Sequence, residues 1–283
     1  MRKLILSQIL KISITYLFLV ILAILLLYPL CWLFLSSFKS DLEVFGTINI
    51  FPKVFHWENY VNGWKGIGQF TFGYFLWNST QLTCLTVLAT LISSTIVAYG
   101  FARFSFILKK QFFALMISTL MLPNTIIIVP RYILFRNLGW INSYLPFIIP
   151  TLFATAPFFT FLMVQFFRSL PKELDESAKM DGCNSFITLI KILIPLCKPA
   201  IFSITIFQFI WTWNDFFNCL IYINSVRKYT VSLGLRMFLD ATSGSNYSGM
   251  LSMSMLSIIP CIIIYSVSQR YFVEGIATTG IKG

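Results

Sequence analysis

Residues 168–199 read RSLPKELDESAKMDGCNSFITLIKILIPLCKP, and they concentrate charges and helix-breaking residues between two apolar runs. Pro171 suits the first turn of a helix, and residues 172–180 are mostly good helix formers. Gly182 can supply the left-handed residue that stops a helix. The first half of the segment therefore predicts a short helix followed by a tight turn.

A second helix is predicted after this turn. Asn184 or Ser185 can cap its first turn, and Pro195 is expected to end it. Its apolar residues recur at helical spacing, and they are Phe186, Ile187, Leu189, Ile190 and Leu193. The whole segment is thus predicted to form a helix–turn–helix hairpin.

One face of the first helix carries Leu174 and Ala178, which lie four residues apart. The small Ala178 lets another backbone come close beside an apolar side chain, so this face suits docking into a groove of a partner protein. Glu176 and Asp181 flank the face. Their carboxylates either pair with basic residues of a partner or face lipid headgroups, and the residue chemistry alone leaves both interpretations open.

The composition indicates a protein surrounded by lipid. Hydrophobic residues make up 57% of the chain, charged residues only 11%, and the mean hydropathy is +0.80, whereas a soluble domain carries roughly 25% charged residues. The polar stretches are too short to bury a second core, so a single bundle is predicted. Basic residues flank apolar runs, so the net charge of +11 does not indicate nucleic acid binding.

Neither a metal site nor an enzymatic site is predicted. The six cysteines are scattered and His56 is the single histidine, so no metal-ligand spacing occurs. The sequence lacks the pattern of Gly, four residues, Gly-Lys and Ser or Thr that binds nucleotide phosphates. No nucleophile, base and orienting group fall at a recognisable spacing. We therefore expect no cofactor in this chain.

Six apolar runs approach or exceed the roughly 20 residues needed to cross a bilayer. They comprise residues 12–38, 75–102, 112–129, 145–167, 200–223 and 250–269. An even number places both termini on one side, and most of the 21 Lys and Arg residues fall on that side, which identifies it as the cytoplasm. The sequence predicts an all-α membrane protein with six transmembrane helices and a cytoplasmic hairpin.

We divide the chain into three parts. Residues 1–74 hold the N-terminal tail, the first transmembrane helix and an extracytoplasmic loop, residues 75–270 hold a five-helix core with the loop 168–199, and residues 271–283 form a cytoplasmic tail. The core shows no clear internal repeat and no ionisable residues near the midplane, which mark ion-coupled secondary transporters. A secondary transporter and a non-transport membrane scaffold are the alternative interpretations.

Five residues are candidates for contact with a transported solute: Asn78, Gln81, Trp211, Asn214 and Asp215. Asp215 is expected in the outer half of the fifth helix, where it either lines a pathway or anchors the helix end through a nearby basic residue. Trp211 either stacks on a sugar ring or lies at the membrane interface. Polar residues of the second helix either line a cavity or join helices.

The hairpin resembles the EAA signature of permease subunits in bacterial ATP-binding-cassette importers. The matching residues are Glu176, Ser177, Ala178, Asp181, Gly182, Ile192, Ile194 and Pro195. Ser177 stands where Ala is usual and Ile194 where Leu is usual, and both are small changes in size. In that family the first helix of the signature is the coupling helix that docks on the ATPase, so the resemblance implies this role here.

The similarity extends over nearly the whole chain, and it points to the carbohydrate-importing branch that contains the second maltose permease subunit. Shared motifs are Tyr28-Pro29, Ser36-Ser37-Phe38-Lys39, Glu58-Asn59-Tyr60, Asn78-Ser79, Trp213-Asn214-Asp215-Phe216 and Gly280-Ile281-Lys282-Gly283. The resemblance implies a six-helix type I importer permease of the MetI-like class. It also implies a heterodimer with a second permease, two cytoplasmic ATPase copies that use ATP and Mg²⁺, and an extracytoplasmic binding protein that delivers a sugar to the bacterial cytoplasmic membrane.

Overall fold

A computed structural model describes residues 2–66, 68–239 and 246–280, which are predominantly helical and contain no β-strand. The first helices are α1 (Arg2–Ser36), α2 (Asp41–Gly46) and α3 (Glu58–Lys65). They are followed by α4 (Phe72–Arg103), α5 (Lys109–Thr119), α6 (Asn124–Asn137), α7 (Leu145–Leu152), α8 (Pro157–Ser169), α9 (Glu173–Met180), α10 (Ser185–Thr188), α11 (Ile194–Leu196), α12 (Lys198–Trp213), α13 (Phe216–Tyr222), α14 (Val231–Met237) and α15 (Tyr247–Gly280). A π-helical turn (Leu189–Leu193) joins α10 to α11, and a 3₁₀ turn (Val226–Lys228) precedes α14.

The chain divides into two compact units. One contains the residues up to Phe72 together with Leu235–Ser257, and the other contains Gly73–Gly234 together with the residues from Ile258 onward. Every candidate site residue named above belongs to the second unit.

Four helical segments are long and apolar enough to cross a membrane: Leu10–Ser36, Phe72–Arg103, Leu145–Ser169 and Tyr247–Arg270. Two more segments are bent pairs of helices, Lys109–Thr119 with Asn124–Asn137 at 102° and Ser185–Leu196 with Lys198–Trp213 at 79°. Counting each bent pair as one span gives six. The described residues therefore contain between four and six candidate spans.

Three predicted helices are interrupted. The helix predicted over residues 145–167 consists of α7 and α8, which are separated by residues 153–156. The helix predicted over residues 112–129 breaks between α5 and α6, where Pro123 lacks an amide hydrogen and disfavours a helical residue before it. The helix predicted over residues 200–223 breaks after α12, and Asp215 caps the next helix by accepting a hydrogen bond from the Asn218 amide at 3.1 Å. Hydropathy does not detect these breaks because apolar residues continue on both sides of each one.

The first and last helices are longer than predicted. The helix predicted over residues 12–38 is α1, which begins at Arg2, and the helix predicted over residues 250–269 is α15, which extends to Gly280. Most of the predicted cytoplasmic tail is therefore helical, and residues 281–283 lie outside the described part of the chain.

Two apolar clusters form the core of the second unit. The larger cluster joins α4, α8, the second half of the hairpin and α12 through Ala98, Tyr99, Phe159, Met163, Val164, Phe167, Leu189, Leu193, Cys197, Ala200 and Ile204. The smaller cluster contains Leu82, Phe135, Phe147, Cys219, Tyr222, Ile223 and Leu233. Because Leu189 and Leu193 are buried in the larger cluster, the second helix of the hairpin is anchored in the core.

Within the first unit, hydrogen bonds join several of the motifs noted in the sequence. The Asn59 carboxamide donates to the carbonyl oxygens of Ser37 and Lys39 at 3.0 and 2.9 Å. The hydroxyls of Ser37 and Tyr60 are 2.7 Å apart, and the Ser252 hydroxyl donates to the Asn59 carbonyl at 3.0 Å. These motif residues hold together the segment that follows α1.

Candidate functional site

The turn of the hairpin is closed by two backbone hydrogen bonds. The Gly182 amide donates to the Lys179 carbonyl at 3.0 Å. The Cys183 amide donates to the Ala178 carbonyl at 2.9 Å. This pair is the Schellman motif, in which the residue after the helix is left-handed, and Gly182 has φ +79°. The predicted stop at Gly182 is confirmed.

The second helix of the hairpin begins at the predicted cap but does not end at the predicted residue. Asn184 Oδ1 accepts a hydrogen bond from the Ile187 amide at 2.9 Å, so Asn184 is the cap. The helical path continues past Pro195 to Leu196. Pro195 lies in the first turn of α11, after the π-helical turn, and a missing amide hydrogen is tolerated at that position.

Helix α9 turns its small residue toward the body of the second unit. Ala178 is only 2% exposed and Leu174 is half-buried, so the face predicted to dock on a partner packs within this chain. The exposed face carries Glu176, Ser177 and, near the turn, Met180. The predicted direction of the face is wrong because a spacing of four residues defines a helix face without telling which way it points.

The exposed part of the hairpin combines carboxylates with apolar side chains. We define the hairpin surface as Glu176, Ser177, Met180, Asp181 and Phe186, all of which are exposed. The remaining signature residues lie elsewhere on the hairpin: Ile192 and Ile194 are half-buried, and Gly182 and Pro195 are exposed. The signature therefore contributes both to the free surface and to the support beneath it.

The inward orientation of Ala178 can be tested by comparing two neighbouring leucine substitutions. Ala178→Leu is expected to lower the free energy of unfolding by about 1–3 kcal/mol, because added atoms must fit a packed site. Ser177→Leu places the same side chain on the exposed face and is expected to change it by less than about 0.5 kcal/mol. Thermal unfolding of both variants in detergent checks this, and equal losses of stability would contradict the orientation.

Arg103, the last residue of α4, holds the segment that enters the hairpin. Its Nε lies 2.9 Å from Asp175 Oδ2. Its Nη2 donates to the carbonyls of Leu170 and Pro171 at 3.1 and 3.4 Å. The charged side chains are only 7% and 17% exposed, so water screens the ion pair weakly. The sequence alone did not single out either partner of this pair.

A cavity of about 660 Å³ lies within the second unit. This volume falls in the range of roughly 300–1,000 Å³ that is typical of small-molecule sites. The polar residues of its lining are Thr86, Arg131, Trp140, Thr151, Thr155, Gln208, Trp211, Thr212, Asp215, Asn218 and Tyr222. Among the described residues of the lining, Arg131 and Asp215 are the two that have ionisable side chains of opposite charge.

Asp215 has two roles at the edge of this cavity. As the cap of α13, its carboxylate also accepts from Asn218 Nδ2, with distances of 3.0 Å to Oδ1 and 2.8 Å to Oδ2. Oδ2 retains a free lone pair, since each carboxylate oxygen can accept two hydrogen bonds. Asn218 Oδ1 is buried without a hydrogen-bond partner in the described part of the chain. Asp215 therefore caps the start of α13 through Asn218 rather than through the basic residue predicted for a helix anchor, and it also lines the cavity.

Of the five predicted solute residues, the cavity includes Trp211 and Asp215. Asn78 instead makes buried hydrogen bonds to backbone carbonyls. Gln81 is exposed and lies outside the lining. Asn214 is also exposed, and its carboxamide donates to the Ile210 carbonyl at 3.0 Å.

Sequence reasoning missed most of the lining, and the missed residues include Arg131, Asn218 and Tyr222. Only Asn218 leaves a local signal, because it follows Asp215 by three residues, which is the spacing of a capped first turn. Arg131 and Tyr222 reach the cavity through tertiary packing.

The segment after α13 is held by side chains that precede α7. Asn142 Oδ1 accepts from the amides of Asn224 and Ser225 at 3.2 and 3.0 Å. The Tyr144 hydroxyl donates to the Lys228 carbonyl at 3.1 Å. Burial raises the pKa of Tyr144 to about 12, so the hydroxyl keeps its proton at physiological pH and remains a donor. This segment is thus fixed at several points.

Comparison with known proteins identifies the family. Residues 91–278, which include the hairpin and most of the cavity lining, match the family described as "Binding-protein-dependent transport system inner membrane component". The chain belongs to this family. It is an inner membrane component of an ABC importer, and the predicted resemblance is confirmed.

Three similar proteins cover nearly all of this inner membrane component. The arabinooligosaccharides transport system permease protein AraQ of Bacillus subtilis (strain 168) is 34% identical, over 94% of each chain. The trehalose/maltose transport system permease protein MalG of Thermococcus litoralis is 29% identical, over 93% of this chain and 94% of the relative. A crystal structure of a bacterial ABC transporter involved in the import of the acidic polysaccharide alginate matches with a TM-score of 0.80 and 25% identity, over 92% of this chain and 95% of that chain.

The match establishes an all-helical permease fold of the MetI-like class. In such importers the inner membrane component is not catalytic, and the ATPase is a separate subunit. Among the described residues no three His, Cys, Asp or Glu side chains are grouped in a way that could hold a metal ion.

Proposed function

We propose that this permease imports a sugar or oligosaccharide across the bacterial cytoplasmic membrane as part of an ATP-driven complex. In the proposal it pairs with a second permease and with two ATPase copies that use ATP and Mg²⁺, and an extracytoplasmic binding protein delivers the solute. In the proposal the chain has six membrane spans, with both termini and the hairpin in the cytoplasm. Relatives named for arabinooligosaccharides and for trehalose and maltose support this substrate class.

The hairpin surface is the observation that best supports the proposal. Glu176 and Asp181 present carboxylates beside the exposed apolar side chains of Met180 and Phe186. An ATPase groove with an apolar floor and a basic rim would complement this surface, because buried apolar area supplies affinity and opposite charges supply specificity. Behind the surface, the buried Ala178 and the Arg103 contacts tie the hairpin to the permease core.

We propose that the cavity is part of the solute pathway. Sugars present many hydroxyl groups and an apolar ring face, and the lining offers partners for both. Asp215 and Asn218 supply acceptors for hydroxyl hydrogens, Arg131 supplies donors, and Trp211 supplies an aromatic face. The opposite charges of Arg131 and Asp215 favour an uncharged solute.

ATP-driven uptake into liposomes tests this function. The complete complex is reconstituted with its binding protein outside, and uptake of radiolabelled arabinooligosaccharides, maltose and trehalose is measured with and without ATP on the ATPase side. The control complex carries an ATPase that lacks its phosphate-binding lysine. We expect uptake only when ATP and the intact ATPase are both present.

Two results would overturn the proposal. Uptake driven by an ion gradient without ATP would establish a secondary transporter. ATP hydrolysis without uptake of any tested sugar, but with uptake of a different solute class, would exclude the carbohydrate assignment.

A further inference from the structure

Helix α4 is held at the end away from the hairpin by buried hydrogen bonds. Asn78 Nδ2 donates to the carbonyls of Arg227 and Tyr229 at 3.0 and 2.9 Å. The Ser79 hydroxyl accepts from the Val231 amide at 2.8 Å. Asn78 and Ser79 are 5% and 1% exposed, so water cannot replace these bonds at low cost. This end of α4 is fixed to residues 227–231.

The opposite end of α4 is fixed to the entry of the hairpin. Arg103 contacts the Asp175 carboxylate on α9 and, with the same guanidinium group, the carbonyls of Leu170 and Pro171. The planar fork of arginine allows these contacts together, whereas a lysine ammonium is a single point charge. A shift of α9 therefore acts directly on the end of α4.

Between these ends α4 is one continuous helix. It contains no proline, and the distance from Asn78 to Arg103 along its axis is about 38 Å at 1.5 Å per residue. Thr86 lines the cavity, and the Ser93 hydroxyl donates to the Thr151 carbonyl at 2.5 Å. A continuous helix is a stiff element, so a displacement at one end is expected to reach the other.

We propose that α4 transmits movement of the hairpin to the segment over residues 227–231, and that Arg103 and Asn78 are the positioning residues at its two ends. The inference rests on the proposed function, in which the ATPase moves the hairpin. Arg103 acts through Asp175 and touches neither nucleotide nor solute in this account. Asn78 acts through the backbone of the segment, a role different from the solute contact that its sequence position suggested.

The ratio of solute uptake to ATP hydrolysis in the reconstituted complete complex tests the proposal. Arg103→Met is expected to lower this ratio about tenfold in assembled complexes, within the effect expected of mutations along a coupling route, while ATP hydrolysis continues. Arg103→Lys keeps the positive charge but loses the planar guanidinium group that makes several contacts at once, and it is expected to lower the ratio about threefold. Lys110→Met is the control. It removes an exposed cation from the first turn of α5, the helix that follows α4, and is expected to leave the ratio unchanged.

A double substitution separates transmission from two independent losses. Asn78→Ala is expected to lower the ratio of uptake to ATP hydrolysis about as much as Arg103→Met. The combined variant is expected to have a ratio no lower than that of the more impaired single variant, because the two residues act on the same route. Multiplied losses in the combined variant would overturn the proposal, as would an unchanged ratio in assembled Arg103→Met complexes. If Arg103→Met does not assemble, an unchanged ratio in Arg103→Lys overturns it.

The proposed function can fail independently of this inference. Absence of ATP-driven uptake in the wild-type complex refutes the proposed function itself. Normal uptake in the wild type with normal coupling in all α4 variants refutes only the role of α4.

Discussion

Gly182→Arg is expected to reduce the ATPase that copurifies with the permease in detergent at least about tenfold, which corresponds to roughly 1.4 kcal/mol of binding free energy. Gly182 is exposed and has φ +79°, and nothing in the described chain lies within 4 Å of an added Cβ. An arginine there strains the left-handed turn by about 1–2 kcal/mol. It also projects a bulky cation from the turn beside the hairpin surface, where we propose that the ATPase docks.

Gly139→Arg is a matched control for this experiment. Gly139 follows α6 in the same type of turn, with its amide donating to the Arg136 carbonyl at 3.0 Å and the Trp140 amide donating to the Phe135 carbonyl at 2.9 Å. Its φ is +70°, and an added Cβ also meets nothing within 4 Å. We expect Gly139→Arg to retain the ATPase, because the strain is the same but the hairpin is intact.

Gly182→Asn distinguishes bulk and charge from strain at the same position. Asparagine tolerates the left-handed conformation better than other side chains, so most of the ATPase is expected to remain bound. Equal loss in Gly182→Arg and Gly139→Arg would show that the effect comes from general destabilisation, and it would contradict docking at the hairpin.

Asp215→Asn is expected to lower the initial rate of ATP-driven solute uptake about tenfold or more. Asparagine retains an oxygen that can cap α13, so the substitution removes the charge while preserving the helix start. Hydrogen bonds to charged groups contribute about 1.5–3 kcal/mol, and the loss of the carboxylate also leaves Arg131 in the cavity lining without the opposite charge. Uptake is measured at equal amounts of assembled complex, with ATP hydrolysis recorded in parallel.

Asn214→Ala is the neighbouring control. Asn214 is exposed, lies outside the cavity lining and bonds to its own helix at the Ile210 carbonyl, so its removal is expected to change uptake less than about twofold on the scale of ordinary surface substitutions. A larger loss in Asn214→Ala than in Asp215→Asn would place the pathway on the other side of this helix break and refute the cavity as the solute site.

The hairpin shows which structural features can be predicted from neighbouring residues in the sequence. Gly182 and Asn184 act through hydrogen bonds to residues three to five positions away, so the sequence around them is sufficient to predict the turn and the cap. The direction of α9 is different, because Ala178 and Ser177 are adjacent and both small. Only the packing of the second unit determines that Ala178 is the buried one.

The sequence by itself determined that this protein is a helical membrane protein with a hairpin, because hydropathy and turn chemistry are properties of neighbouring residues. Its motifs also identified the importer family. Only the tertiary structure decided the cavity lining and the contacts at the ends of α4, where Asn78 bonds to a carbonyl 149 residues away. Such contacts depend on how the helices pack against one another, and no local pattern specifies which distant backbone group a buried amide will meet.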